Sequence, residues 1–130
     1  MLGCLVEANQ AWALGAAMLT IAVSRMNYNH NGKPYRHAHY DTGQAVMSMV
    51  LQATALGLRA HQMAGFDPDR TRETYGIPEG YEPLTAIALG HPGDASELPE
   101  KLRQAELSER TRRPLNETLF VGAWARRIEE

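Results

Sequence analysis

The segment Leu58-Arg59-Ala60-His61-Gln62-Met63-Ala64-Gly65-Phe66-Asp67-Pro68 decides how this chain folds. Leu58 to Met63 has the length and composition of a short strand, and Gly65 breaks it. A strand that ends in Ala-Gly leaves its backbone amides uncovered, because neither residue has the bulk to shield them. Such amides can approach a flat ligand closely and donate hydrogen bonds to it. The same residue types also describe an ordinary tight turn in which glycine supplies the dihedrals, and that is the commoner case.

Upstream, Asp41 opens the clearest helical pattern in the chain. Its carboxylate can cap free amides, and Gln44 three residues on can complete a capping box. Ala45, Val46, Met49, Val50, Ala53, Leu56 and Leu58 recur at helical spacing, and Gly57 is placed to end the helix. Downstream, Asp67-Pro68 starts a helix that Gly76 ends. Pro83 to Gly90 is a buried strand stopped by Pro92-Gly93, and Ser96 is expected to cap a further helix through Ala105. Toward the N-terminus, Asn27 to Tyr40 is a polar, aromatic loop with a turn at Asn31-Gly32. Ala17 to Val23 is a continuous apolar run, consistent with a strand buried on both faces, and Leu2 to Trp12 suits a helix. Three strands with helices between them make an α+β fold.

The 130 residues fit one domain with a modest core, and the net charge of −2 provides no basic field for nucleic acid or an acidic membrane. The charge is uneven: the last thirty residues hold seven Lys/Arg against five Asp/Glu, the remainder six against ten. A locally basic tail points to a small anion or a partner subunit. Cys4 is the only cysteine, so an internal disulfide is excluded and a cytoplasmic location is expected. Its apolar neighbours mark it as a small buried hydrophobe. The apolar run from Ala11 to Val23 is too short to span a bilayer and lacks the basic flank of a signal peptide.

Three further constellations bear on chemistry. In the extended segment Arg110-Thr111-Arg112-Arg113-Pro114, residues two apart point the same way, so Arg110 and Arg112 could grip one phosphate; a solvated basic tail has the same composition. His37 and His39 would share one side of an extended segment, but no Cys or carboxylate stands at a ligand spacing and no metal site is expected. Tyr28, Tyr35 and Tyr40 could rim a pocket for flat molecules. There is no G-x-S-x-G, Walker loop or strand-linked G-x-G-x-x-G.

Taken in order, several segments resemble the nitroreductase family of FMN-dependent oxidoreductases. They are Arg36-His37-Ala38 with Asp41-Thr42-Gly43-Gln44-Ala45, then Leu51 to Leu58, then His61 to Asp67. Ile77-Pro78-Glu79-Gly80-Tyr81-Glu82-Pro83, Ala86 to Gly90 and Arg110 to Leu115 complete the set. The resemblance implies a nitroreductase-like mixed sheet flanked by helices, and a homodimer with FMN at the subunit interface. It implies that Gln62, Met63, Ala64 and Gly65 lie along the flavin ring and that Arg110 and Arg112 hold its phosphate. It further implies a ping-pong reaction in which NAD(P)H reduces FMN and the reduced flavin passes electrons to a nitroaromatic, quinone or similar acceptor. The flavin carries that chemistry, so no catalytic side chain is expected.

Residues 1–106 would then form a partial domain and 107–130 an extended arm wrapping the other subunit, with the helix from Thr42 at the dimer interface. The arginine-rich Arg-x-Ser-x-Arg and Asn-x-Gln-Pro-Trp type segments with which such proteins begin are not in this sequence. The N-terminal part of the fold is accordingly expected to be missing. The alternative is a non-catalytic remnant that keeps only the dimer surface.

Overall fold

The computed structural model describes residues 1–127. They divide into two compact units, Met1–Gly93 and Asp94–Glu130. The helix Glu100–Leu107 belongs to the second unit.

The first unit is a three-stranded sheet with helices on both faces. In chain order it holds α1 (Glu7–Ala13), β1 (Met18–Arg25), α2 (Ala38–Ala55), β2 (Arg59–Met63), α3 (Pro68–Tyr75) and β3 (Tyr81–Gly90). The strand order is β1-β3-β2, with both pairings antiparallel. The α+β architecture expected from the sequence is the one adopted; among the described residues its strands pair only antiparallel.

β3 is the central strand, and its side chains alternate between the two faces, as a pleated backbone requires. Ala86 and Ala88 meet Leu5, Ala13 and Met63 on the α1 side, whereas Ile87 and Leu89 meet Val46 and Ala53 of α2 on the other. Ala13, the last residue of α1, packs with Ala86 and Ala88 on that face. Full burial of a side chain like Ile87, 2% exposed, stabilises by about 1.5–3 kcal/mol. Pro83 is buried in this central strand, where it has no N–H to donate. It sits at a break in the ladder: Ala22 faces Thr85 and Val23 faces Pro83, leaving Leu84 unmatched. A bulge is one of the few places where a sheet accepts proline.

Three local expectations are corrected. β1 was expected to be buried on both faces, but it is an edge strand and only Ser24 in it is buried. α2 begins at Ala38, not Asp41, and His37 at its N-terminus makes no side-chain cap. Asp41 lies inside the first turn, where its carboxylate accepts the Tyr35 hydroxyl instead of closing a capping box with Gln44. In the second unit, Ser96 caps nothing. Asp94 accepts its N–H at the start of a 3-10 turn, Ala95–Glu97, and α4 (Glu100–Leu107) starts after Pro99 without a side-chain cap. Beyond α4 the described chain holds only a 3-10 turn, Leu115–Glu117, and a bridge between Phe120 and Arg127.

The other caps fall where expected. Gly57 takes a positive φ of 79° just past α2. Asp67 caps α3 by accepting the Arg70 N–H at 2.9 Å, Pro68 is its first residue, and Gly76 ends it at φ 60°.

Candidate functional site

The end of β2 and the turn after it are built as a clamp. Met63 is the last residue of the strand and is buried against Leu5, Ala13 and Ala86. Its carbonyl accepts the Thr85 hydroxyl at 3.0 Å. The chain then leaves the sheet, and the N-terminal segment holds it from below. The Gly65 carbonyl accepts two hydrogen bonds, from the Val6 N–H at 3.1 Å and from the Asn9 side-chain amide at 2.9 Å. Leu5 bridges Phe66, and the Asp67 N–H donates to the Cys4 carbonyl at 2.7 Å.

This clamp explains the glycine. A Cβ on Gly65 would stand 2.5 Å from Asn9 Nδ2 and 2.9 Å from Val6 Cγ2, inside van der Waals contact. Gly65 does not have a positive φ. Glycine is needed here for close approach of another segment, not for unusual dihedrals.

The clamp engages carbonyls and leaves two N–H groups over. Among the described residues, neither the Ala64 nor the Gly65 N–H donates a hydrogen bond, and Ala64 is exposed. With only a methyl group and a hydrogen as side chains, these adjacent residues do little to cover their uncommitted amides. The four residues differ in what they offer. Gln62 is exposed on the α2 side of the sheet, Met63 is buried beneath the turn, and Ala64 and Gly65 present backbone. His61, next to them, is exposed and meets the edge of Trp12 with ring centroids 4.8 Å apart.

Arg110 and Arg112 lie in the second unit, in the extended stretch between α4 and the 3-10 turn, and both are exposed. Arg112 Nη1 donates to the Thr111 carbonyl at 2.9 Å. The histidines are dispersed: His39 bonds Glu82 at 3.0 Å, His30 bonds Asn31, and His37 lies tilted beside Tyr35 and edge-on to Tyr40. No group of three His, Cys, Asp or Glu residues among the described ones could hold a metal ion. Cys4 is buried beside Thr74. No described helix is long and apolar enough to cross a membrane.

Sequence reasoning missed the clamp. Asn9 acts on Gly65 across 56 positions of chain, so no local pattern announces it. It also missed Arg72, which holds the turn before β3 by donating to the carbonyls of Ile77, Pro78 and Tyr81.

The model of the nitroreductase family matches residues 5–91, from the clamp segment to the end of β3. The chain belongs to the nitroreductase family. The segments between Arg36 and Gly90 that carried the resemblance fall within this match, along α2, the β2 turn and β3, whereas Arg110 to Leu115 lies outside it. Among solved structures, one described as an oxidoreductase containing FMN superposes with a TM-score of 0.90 at 35% identity. The match covers 97% of this chain and 65% of that one. A nitroreductase family protein from Clostridium difficile 630 superposes with a TM-score of 0.61 at 27% identity, over 84% of this chain and 61% of its own. This chain thus spans less than two thirds of the length of either. A Mycolicibacterium smegmatis protein, described as an uncharacterized 15.4 kDa protein, is 31% identical over 92% of this chain and 80% of its own.

Proposed function

We propose that this chain is a flavin oxidoreductase subunit that binds FMN with its ring along Gln62, Met63, Ala64 and Gly65 and its phosphate at Arg110 and Arg112. The observation that carries this reading is the uncommitted amide pair at Ala64 and Gly65, in a family relative of an FMN-containing oxidoreductase. The donor set fits the group. Two free N–H groups with no overhanging side chain can meet a flat ring edge, and two arginines two residues apart can meet a phosphate. The bound flavin would supply hydride and electron transfer between NAD(P)H and a nitroaromatic, quinone or similar acceptor.

The chain's own residues position and tune. An N–H aimed at a ring atom that gains electron density on reduction stabilises the reduced form more than the oxidised one. The clamp from Val6 and Asn9 fixes the Gly65 carbonyl, and the Phe66 N–H, which donates to the Ala64 carbonyl at 2.9 Å, holds the Ala64–Gly65 peptide. Met63 fills the space beneath the turn and keeps water from its inner side.

A homodimer belongs to the same reading. Tyr40, Met47 and Leu51, seven and four residues apart, fall on one side of α2, and each is half to two-thirds exposed. Such an apolar stripe suits burial against a second copy. A cytoplasmic setting agrees with the single cysteine.

The test is direct. Purified protein incubated with excess FMN and desalted should retain yellow absorbance, elute as a dimer, and oxidise NADH or NADPH when a nitroaromatic is added. A folded dimer that retains no flavin would leave only a dimerisation module. A folded monomer without flavin would overturn both.

A further inference from the structure

The loop between β1 and α2 holds two tyrosines against each other. Its two arms run as a short antiparallel pair. Asn27 bridges Pro34, the Tyr28 N–H donates to the Lys33 carbonyl at 2.8 Å, and the Tyr35 N–H donates to the Met26 carbonyl at 2.7 Å. Gly32 turns the tip at φ 70°, with its N–H on the Tyr28 carbonyl at 2.9 Å. In this pairing Tyr28 stands opposite Lys33 and Tyr35 is its diagonal neighbour, a spacing that aromatic side chains can span. The two rings pack with centroids 4.6 Å apart, tilted by 44°.

Three observations set this pair apart. Among the described residues no other two tyrosines are in ring contact: Tyr40 meets His37, and Tyr81 lies under the Arg25 guanidinium. The Tyr35 hydroxyl donates to the Asp41 carboxylate, so a base already holds its proton. Tyr28 is 38% exposed and Tyr35 half-buried, so a small solute reaches the pair. A phenol gives up an electron more readily when its proton has an acceptor in place, because the cation it would otherwise become is never formed.

We propose that Tyr28 and Tyr35 form an oxidative cross-linking site, at which a one-electron oxidant joins their rings into a dityrosine and Asp41 takes the Tyr35 proton. The oxidant belongs to the class of small radicals and oxidised metal complexes, and each tyrosine reduces one equivalent of it. Tyr35 loses an electron to the oxidant and its hydroxyl proton to Asp41. Tyr28 loses an electron to a second equivalent and its hydroxyl proton to water. The two phenoxyl radicals then join through the ring carbons next to their oxygens, forming one C–C bond. The hydrogen on each joined carbon moves to the neighbouring oxygen, which restores both aromatic rings and both hydroxyls. In net terms two electrons and two protons leave, and the chain is two hydrogens lighter. The product staples residue 28 to residue 35 and fixes the loop that leads into α2. The assignment is independent of flavin binding.

The experiment exposes the full flavin-free chain to tris(bipyridine)ruthenium(II) and persulfate under brief light, followed by trypsin and tandem mass spectrometry. Lys33 precedes a proline and resists trypsin, so Met26 to Arg36 leaves as one peptide carrying both tyrosines. That peptide should appear two hydrogens lighter, with dityrosine fluorescence and no backbone fragments between Tyr28 and Tyr35. Tyr28→Phe should abolish the product while leaving Tyr35 and Asp41 in place. Asp41→Asn should slow its formation by at least about tenfold, less than the roughly hundredfold or more of a positioned base because water competes for the proton. Asp41→Glu should restore the rate. If Asp41→Asn does not fold, the wild type in heavy water supplies the same test, since a rate set by proton transfer to Asp41 falls there. Links between chains in place of the looped peptide, an equal yield of that peptide in urea, or a rate indifferent both to Asp41→Asn and to heavy water would each overturn the assignment.

Discussion

At the scale of single residues, Gly65 and Asn9 form the most constrained pair in the candidate site. Adding one methyl at Gly65 forces Asn9 and Val6 apart, and overpacking of this kind costs about 1–3 kcal/mol. Gly65→Ala should therefore lower the thermal midpoint. Because the nearest clash is with the Asn9 amide, the penalty should shrink in an Asn9→Ala background, which a double-mutant cycle of denaturation midpoints would read as coupling. Additive effects would mean that Val6 or the backbone, not Asn9, carries the strain. A glycine after a strand was legible in the sequence, but its reason was not. Local spacing suggests dihedral freedom, whereas the cause is a partner far away in the chain.

Tyr35 offers a second residue-level test. The hydrogen bond to Asp41, then desolvation, then the nearby Asp41 charge raise its hydroxyl above the usual tyrosine value. The proton is required for the bond, so the folded value lies above the unfolded one. The bond's contribution is then fully present below about pH 10 and is lost as pH rises through the folded value. In an ultraviolet titration one tyrosine should ionise later than the rest, and Asp41→Asn should bring it back toward them. No delayed tyrosine in the folded protein would mean that the contact does not persist in solution.

At the scale of elements, the signals that proved legible were those whose cause lies within a few residues. Asp67-Pro68 and Gly76 bracket α3 because a capping carboxylate, a proline without an N–H and a left-handed glycine act on their immediate neighbours. Gly57 ends α2 for the same reason. The signals that failed have partners outside the window. Asp41 is drawn to the Tyr35 hydroxyl, so the helix starts earlier, and no spacing rule contains that competition. β1 has the apolar run of an inner strand, but strand order makes it an edge, and order is set by the whole sheet. Asp67→Ala should cost about 0.5–2 kcal/mol, the usual effect of losing a helix N-cap. Asp67 also follows the turn directly, with its N–H on the Cys4 carbonyl. Hydrogen exchange in the variant should speed up first in Arg70 and Thr71 and leave β3 protected. Equal acceleration in β3 would show that α3 and the sheet open as one unit.

At the scale of the whole molecule, the residues proposed for the flavin ring belong to Met1–Gly93 and those proposed for its phosphate to Asp94–Glu130. The family match is confined to residues 5–91, so Arg110 and Arg112 stand outside it. This separation makes the two halves independently testable. Arg110 and Arg112 are exposed, and their only hydrogen bond among the described residues is that of Arg112 to its neighbouring carbonyl, so removing them should leave the first unit intact. If both hold the flavin phosphate, each charge-assisted hydrogen bond contributes about 1.5–3 kcal/mol. Each single alanine variant should then weaken FMN binding by roughly tenfold to a hundredfold. The thermal midpoint of the flavin-free protein should not move, while the rise in midpoint produced by a fixed excess of FMN should shrink with the weaker affinity. Riboflavin, which lacks the phosphate, supplies the control: its affinity for wild type and variants should be the same. A variant that loses riboflavin as much as FMN would place the arginines near the ring. A variant that binds FMN unchanged would return them to solvated charges on a basic tail, and leave the wall at Gln62–Gly65 to be completed by other residues.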